Sequence, residues 1–173
     1  MNIQIRQIPD NVRYKGLTTE ELRDGYLLSD FFKKGEINFN YIDLERAMVG
    51  AALPFNKPLE LQSPDILRSE YFTERRELGI MNVGGEGTVE VDNVAYQLEY
   101  RDALYIGKGS KKIIFHSEKQ DHPAKFYITS YPAHATFPTT HARLEDAEPL
   151  HLGSLEESNK RTIYKYIYKG GIE

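Results

Sequence analysis

The 173-residue sequence contains no cysteine and no tryptophan, and only three methionines. Without cysteine there is no disulfide framework and no thiolate for zinc or redox chemistry, which fits a reducing cytoplasm. No apolar run approaches the roughly 18 to 20 residues needed to cross a bilayer, so no membrane partner is expected. The opening Met-Asn-Ile-Gln-Ile-Arg lacks the apolar core of a secretory signal. Charge of one sign is also missing. Lys and Arg number 22 against 26 Asp and Glu, and a net charge of -4 disfavours a nucleic-acid backbone as partner. What is present is 40% apolar and 12% aromatic residues, enough to bury a core in one domain spanning 1–173 and to exclude disorder.

The patterning is mostly β. One short helix is expected in an amino-terminal arm, residues 1–25, where Thr18 and Glu21 form a capping box and Gly25 is the expected stop. From Glu36 the period becomes two: Ile37, Phe39 and Tyr41 alternate with Asn38 and Asn40, as in a half-buried strand. The apolar run 46–53 reads as a strand buried on both faces, and Pro54, Pro58 and Pro64 hold a loop open after it. Short strands then follow at 78–83, 87–91 and 94–98, the last two joined by an Asp92-Asn93 turn. Others are expected at 104–106, 113–115 and 125–129. Residues 132–159 read as a covering loop, and 161–169 as a final strand in which Thr162, Tyr164, Tyr166 and Tyr168 alternate. Repeated short strands of this kind indicate an all-β sandwich or barrel.

The stretch from Tyr71 to Lys112 has the cadence of a cupin, a jelly-roll barrel that usually holds a metal. Its customary His-x-His followed by Glu is represented by Tyr71-Phe72-Thr73-Glu74-Arg75-Arg76-Glu77, with Tyr71 and Thr73 in the histidine positions. Gly107-Lys108-Gly109-Ser110-Lys111-Lys112 stands for the second motif, with a lysine replacing its histidine. A metal needs imidazoles and a carboxylate converging at coordination distance, so no metal ligand is expected here. His116, His122, His134, His141 and His151 show no ligand-like spacing. Glu74 to Glu77 is either a solvated charge run or an anion grip, since arginine presents a planar fork to carboxylates. Lys108, Lys111 and Lys112 carry the same choice between a tight turn and a ligand contact.

Several longer strings resemble the 5-keto-4-deoxyuronate isomerase family of uronate ketol-isomerases. They are 71–79, Gly84-Gly85-Glu86-Gly87-Thr88 and Arg101 to Gly109. Pro123 to Tyr127, Pro132 to Pro138 and Ser158 to Ile163 extend the likeness over nearly the whole chain. The resemblance implies a bicupin of pectin degradation that converts 5-keto-4-deoxyuronate, a small anionic sugar, into 3-deoxy-D-glycero-2,5-hexodiulosonate. It also implies a zinc cofactor and a homohexamer. The family's His-x-His-Glu-Arg-Arg-x-Glu run belongs to its second cupin. The Tyr71 to Glu77 run then corresponds to a degenerate internal copy, and this chain to the amino-terminal half, without the zinc site. Gly170-Gly171-Ile172-Glu173 reads as the beginning of a connection. On that expectation the role is structural, or that of a uronate-binding or oligomerisation module. A metal-independent isomerase would instead use Glu74 or Glu77 as base. Arg75, Arg76 and Lys108 are candidates to bind substrate, and Lys112 could hold the enediolate.

Overall fold

Strict alternation of side chains decides which face of each strand meets the core. The computed structural model describes residues 1–166. In chain order the strands are β1 (Asn2–Arg6), β2 (Glu36–Ile42), β3 (Met48–Leu53), β4 (Leu59–Glu60), β5 (Arg76–Asn82), β6 (Gly87–Val91) and β7 (Val94–Leu98). They continue with β8 (Ala103–Ile106), β9 (Ile113–Ser117), β10 (Phe126–Pro132), β11 (Thr140–Ala142), β12 (Glu148–Leu152) and β13 (Arg161–Lys165). A seven-stranded sheet runs β1-β2-β3-β10-β5-β8-β11, and a four-stranded one runs β4-β9-β6-β7. The strands β12 and β13 form a separate two-stranded ribbon.

The two larger sheets share one apolar core. Leu78, Ile80, Leu104, Ile106 and Ile128 enter it from the first sheet, and Val89, Leu98, Ile113 and Phe115 from the second. Phe39 stacks on Phe72 at 5.2 Å between ring centroids, and Phe115 meets Phe126 at 5.3 Å. Each of these large side chains contributes about 1.5–3 kcal/mol by leaving water. The result is the jelly-roll β-sandwich expected of a cupin-like chain. Among the described residues, no helix is long and apolar enough to cross a membrane.

The capping box forms as read: Thr18 accepts from the Glu21 amide at 3.3 Å, and the Glu21 carboxylate accepts from the Thr18 amide at 2.7 Å. Helix α1 (Thr19–Tyr26) nevertheless runs through Gly25, which does not terminate it. The helix lies against Pro9 there, and a Cβ added at Gly25 would meet the proline ring at 3.4 Å, an ordinary contact. The Tyr26 hydroxyl donates to the Pro9 carbonyl at 2.8 Å.

Three further differences concern the edges. Asn2–Arg6, read as part of an arm, pairs in parallel with β2. Asn38 and Asn40 are buried rather than half-exposed, because that arm and the loop at 29–33 cover the outer face of β2. The stretch read as a covering loop holds β11 and β12, both paired antiparallel with neighbours. Of the expected last strand, 161–165 is observed, while 167–169, including Tyr168, lies outside the described residues.

Candidate functional site

The degenerate motif enters β5 through a tight connection. Phe72 and Thr73 are fully buried. The Thr73 hydroxyl donates to the Ser110 carbonyl, and the Gly109 amide donates to the Thr73 carbonyl at 2.9 Å. Thr73, in the position of an imidazole, thus latches the 107–110 turn to the strand entry. Gly107 allows that turn its place, since a Cβ there would lie 1.9 Å from the Phe137 carbonyl oxygen. Glu74 turns back on its own loop, accepting from the Glu70 amide at 2.7 Å and lying 3.7 Å from the Arg75 Nε. Arg75 is exposed and donates to the Arg68 carbonyl.

At β5 the alternation separates the rest of the run. Arg76 points inward and is only 5% exposed. Its guanidinium donates to the Ser130 hydroxyl at 3.1 Å, the Ser130 carbonyl at 2.9 Å and the Arg46 carbonyl at 2.8 Å. Burial pushes its pKa below the usual arginine value. Glu77 lies on the opposite face of the sheet, where its carboxylate accepts from the Tyr105 hydroxyl at 2.8 Å. Burial, and then that carboxylate, push the Tyr105 pKa up to about 12. Tyr105 belongs to a groove of about 240 Å³ on the outer face of the seven-stranded sheet, which Gly79, Met81, Tyr127 and Tyr166 also line.

The two lysine candidates stand elsewhere. The Lys112 amide donates to the Asp92 carboxylate at 2.8 Å, which ties it to the turn between β6 and β7. Lys108 sits half-buried in the 107–110 turn, with no side-chain hydrogen bond among the described residues. The structure therefore joins Glu77 to Tyr105 and Glu74 to Arg75, and it ties Arg76 to main-chain groups. Sequence reasoning passed over Tyr105, which stands 28 residues from Glu77 and meets it only through the pairing of β5 with β8.

Sequence reasoning also passed over Asp102, and read His141 only as a histidine without ligand-like spacing. The His141 Nε2 lies 3.2 Å from an Asp102 oxygen, and the same buried carboxylate accepts from the Glu99 and Leu144 amides at 3.0 and 2.9 Å. This pair ties the β7–β8 turn to the segment after β11. His116 lies 3.9 Å from Glu90, and His151 hydrogen-bonds Thr162 at 3.0 Å. Among the described residues no three His, Asp or Glu side chains come together as metal ligands. Tyr71, Thr73 and Lys112, read in the cupin ligand positions, do not offer the imidazoles that zinc takes, so the zinc that the resemblance implies does not fit these donors.

Comparison with known proteins places the chain. A family model described as the KduI/IolB family matches residues 29–172. The chain belongs to the KduI/IolB family. A family relative from Lachnoclostridium phytofermentans, named 4-deoxy-L-threo-5-hexosulose-uronate ketol-isomerase, is 45% identical over 173 residues, covering 100% of this chain and 62% of that protein. One of the same name from Halalkalibacterium halodurans is 46% identical over 165 residues, covering 95% of this chain and 59% of the relative. The chain thus spans about three-fifths of the length of these relatives. A crystal structure of an IolB-like protein from Salmonella typhimurium LT2 shares the fold, with a TM-score of 0.54 and 12% identity, covering 73% of this chain and 46% of that one.

Proposed function

We propose that this chain is a cupin domain of a ketol-isomerase acting on 5-keto-4-deoxyuronate, and that it supplies scaffold rather than the reacting groups. The observation that carries the assignment is 45% identity along all 173 residues to a protein named as that isomerase. A ketol shift moves a proton between neighbouring carbons through an enediolate, so it needs a base and an electrophile facing one substrate. Zinc supplies the electrophile when it is bound in such enzymes. The division of labour is supported by where the candidates stand. Arg76 spends its donors on Ser130 and Arg46, Glu77 lies across the sheet from it, and the Lys112 main chain belongs to the turn held by Asp92. Among the described residues, neither candidate base, Glu74 or Glu77, hydrogen-bonds Arg76 or Lys112. The electrophile is then assigned to the part of the relatives' length that this chain does not span.

The test is isomerisation of 5-keto-4-deoxyuronate by the purified chain, once with zinc and once with a chelator. Neither condition should give turnover. Turnover that survives chelation would contradict the scaffold role and favour a second reading, for which the Glu77–Tyr105 pair beside its groove is the specific observation. In that case Glu77→Gln would abolish the activity.

A further inference from the structure

The four-stranded sheet ends on β7, which pairs only with β6. An edge strand is usually guarded by a lysine, a proline, a bulge or a covering loop, because its free main-chain groups are a template for another strand. Val94-Ala95-Tyr96-Gln97-Leu98 carries no charge and no proline, and it pairs with β6 residue for residue, without a bulge. Val94, Ala95 and Gln97 are exposed, so nothing covers it. The two-residue turn Asp92-Asn93, with φ of 49° and 69°, decides which groups are free. Such a turn makes Val91 and Val94 a hydrogen-bonded pair, and alternation then aims the amides and carbonyls of Val94, Tyr96 and Leu98 at β6. Those of Ala95 and Gln97 point outward, with no other main-chain partner among the described residues. At Glu99 the free edge stops. Its amide donates to the Asp102 carboxylate at 3.0 Å, and its carbonyl accepts from the Asp102 amide at 3.1 Å.

The two ends of this edge carry opposite charge. At the turn, Lys111 and Lys112 are exposed, and their amides donate to the Asp92 carboxylate at 2.9 and 2.8 Å. Their ammonium groups make no ion pair among the described residues. At the Leu98 end stand Glu86, Glu99 and Glu118. Glu86 accepts from the Gln97 side chain, and Glu118 from the Thr88 hydroxyl at 3.2 Å. A cleft of about 470 Å³ opens beside that end, lined by Gln97, Glu99, Tyr100, Asp102, Arg143 and Glu145. Arg143 already pairs with Glu145 at 3.2 Å, and the Arg101 guanidinium lies over the Tyr100 ring at 5.0 Å. The acidic groups at this end still outnumber the basic ones.

We propose that β7 pairs antiparallel with β7 of a second copy, across a two-fold axis at Tyr96, and so joins two four-stranded sheets into one. Ala95 then faces the partner's Gln97 on both sides of the axis, closing four main-chain hydrogen bonds. A register shifted by one pair would set Ala95 against the partner's Glu99, whose groups are already taken. The antiparallel sense lays each lysine end against the partner's acidic end, and it carries the Asp92-Asn93 turn toward the cleft. A parallel copy would bring like charges together. Val94, 53% exposed, gains cover from the partner's Tyr96 and Leu98. The contact is small, so its expected Kd is on the order of 10 μM. No substrate enters the contact, and the proposal does not depend on the isomerase reading.

The test is amide hydrogen exchange in the full 173-residue chain at rising concentration, with sedimentation velocity alongside. The Ala95 and Gln97 amides should exchange more slowly as concentration rises, in step with a dimer. Ala95→Pro removes an outward amide at an edge position that tolerates proline, and should abolish the slowing at Gln97. Lys111→Glu combined with Lys112→Glu leaves the strand itself unchanged and should raise the Kd by at least about tenfold. Adding Glu99→Lys to that variant should recover about threefold or more. If Ala95→Pro lowers the thermal melt, the lysine reversal decides. Exchange at Ala95 and Gln97 that ignores concentration overturns the proposal, whether the chain stays monomeric or associates through another face. Slowing that survives the lysine reversal overturns it as well. The outcome of an isomerase assay moves neither result.

Discussion

Asn82 does more for this molecule than any charged residue of the cupin motif. It is fully buried, and its carboxamide makes four bonds. The nitrogen donates to the Gly85 and Leu98 carbonyls at 2.7 and 3.0 Å, and the oxygen accepts from the Gly84 and Lys125 amides at 3.1 and 3.2 Å. One side chain thereby joins the end of β5, the turn before β6, the end of β7 and the start of β10. The turn is tight enough that a Cβ at Gly85 would lie 1.9 Å from the His122 carbonyl oxygen. Removing the amide strands main-chain groups that water cannot reach. Asn82→Ala should therefore lower the unfolding free energy by about 2–4 kcal/mol. Urea denaturation measures this directly, and a loss well under 1 kcal/mol, about the net value of one ordinary hydrogen bond, would contradict the account of that turn.

Between elements, the pairing of β5 with β8 places Tyr105 opposite Gly79 and diagonal to Glu77. The diagonal offset is within reach of a long side chain. The folded phenol holds its proton up to about 12, against an ordinary value of 10.0. A group with a raised folded pKa contributes stability that is complete below pH 10 and is lost as the pH climbs toward 12. Tyr127 and Tyr166 are also raised, chiefly by burial, so the loss is shared. Thermal melts from pH 9 to 12 should show a shallower alkaline decline in Tyr105→Phe than in the parent chain. An identical decline would mean that the Tyr105 proton is not held by the fold.

Legibility also divides by element. Strands with one apolar face, such as β5, β6 and β10, are readable because their alternation is itself the burial pattern. The left-handed pair Asp92 and Asn93 was readable for its residue types, and φ is 49° and 69° there. β1 carries the same two-residue period in Ile3 and Ile5, but its parallel partner begins 34 residues later, and no local signal announces that. β11 and β12 are short and polar, and β12 contains Pro149, so each depends on a neighbour for its conformation. The site followed the same rule. The run Glu74 to Glu77 was visible as charge, but only the pleat of β5 sends Arg76 inward and Glu77 outward. Tyr105 and Asp102 owe their roles to partners 28 and 39 residues away.

At the scale of the whole molecule, two sheets pack their apolar faces together, and the segment with the cupin cadence is held by structural hydrogen bonds. Thr73 latches a turn, and Arg76 is tied to Ser130 and Arg46. Three of the five histidines, His116, His141 and His151, are dispersed among separate partners, Glu90, Asp102 and Thr162. On the proposed reading, this domain carries the architecture of an isomerase family and leaves its electrophile to be held elsewhere. The most direct test is zinc stoichiometry: calorimetric titration of the metal-stripped 173-residue chain with zinc, with metal content measured after dialysis. The titration should show no stoichiometric tight binding, and no metal should be retained. One zinc retained per chain, bound tightly, would contradict the proposed reading.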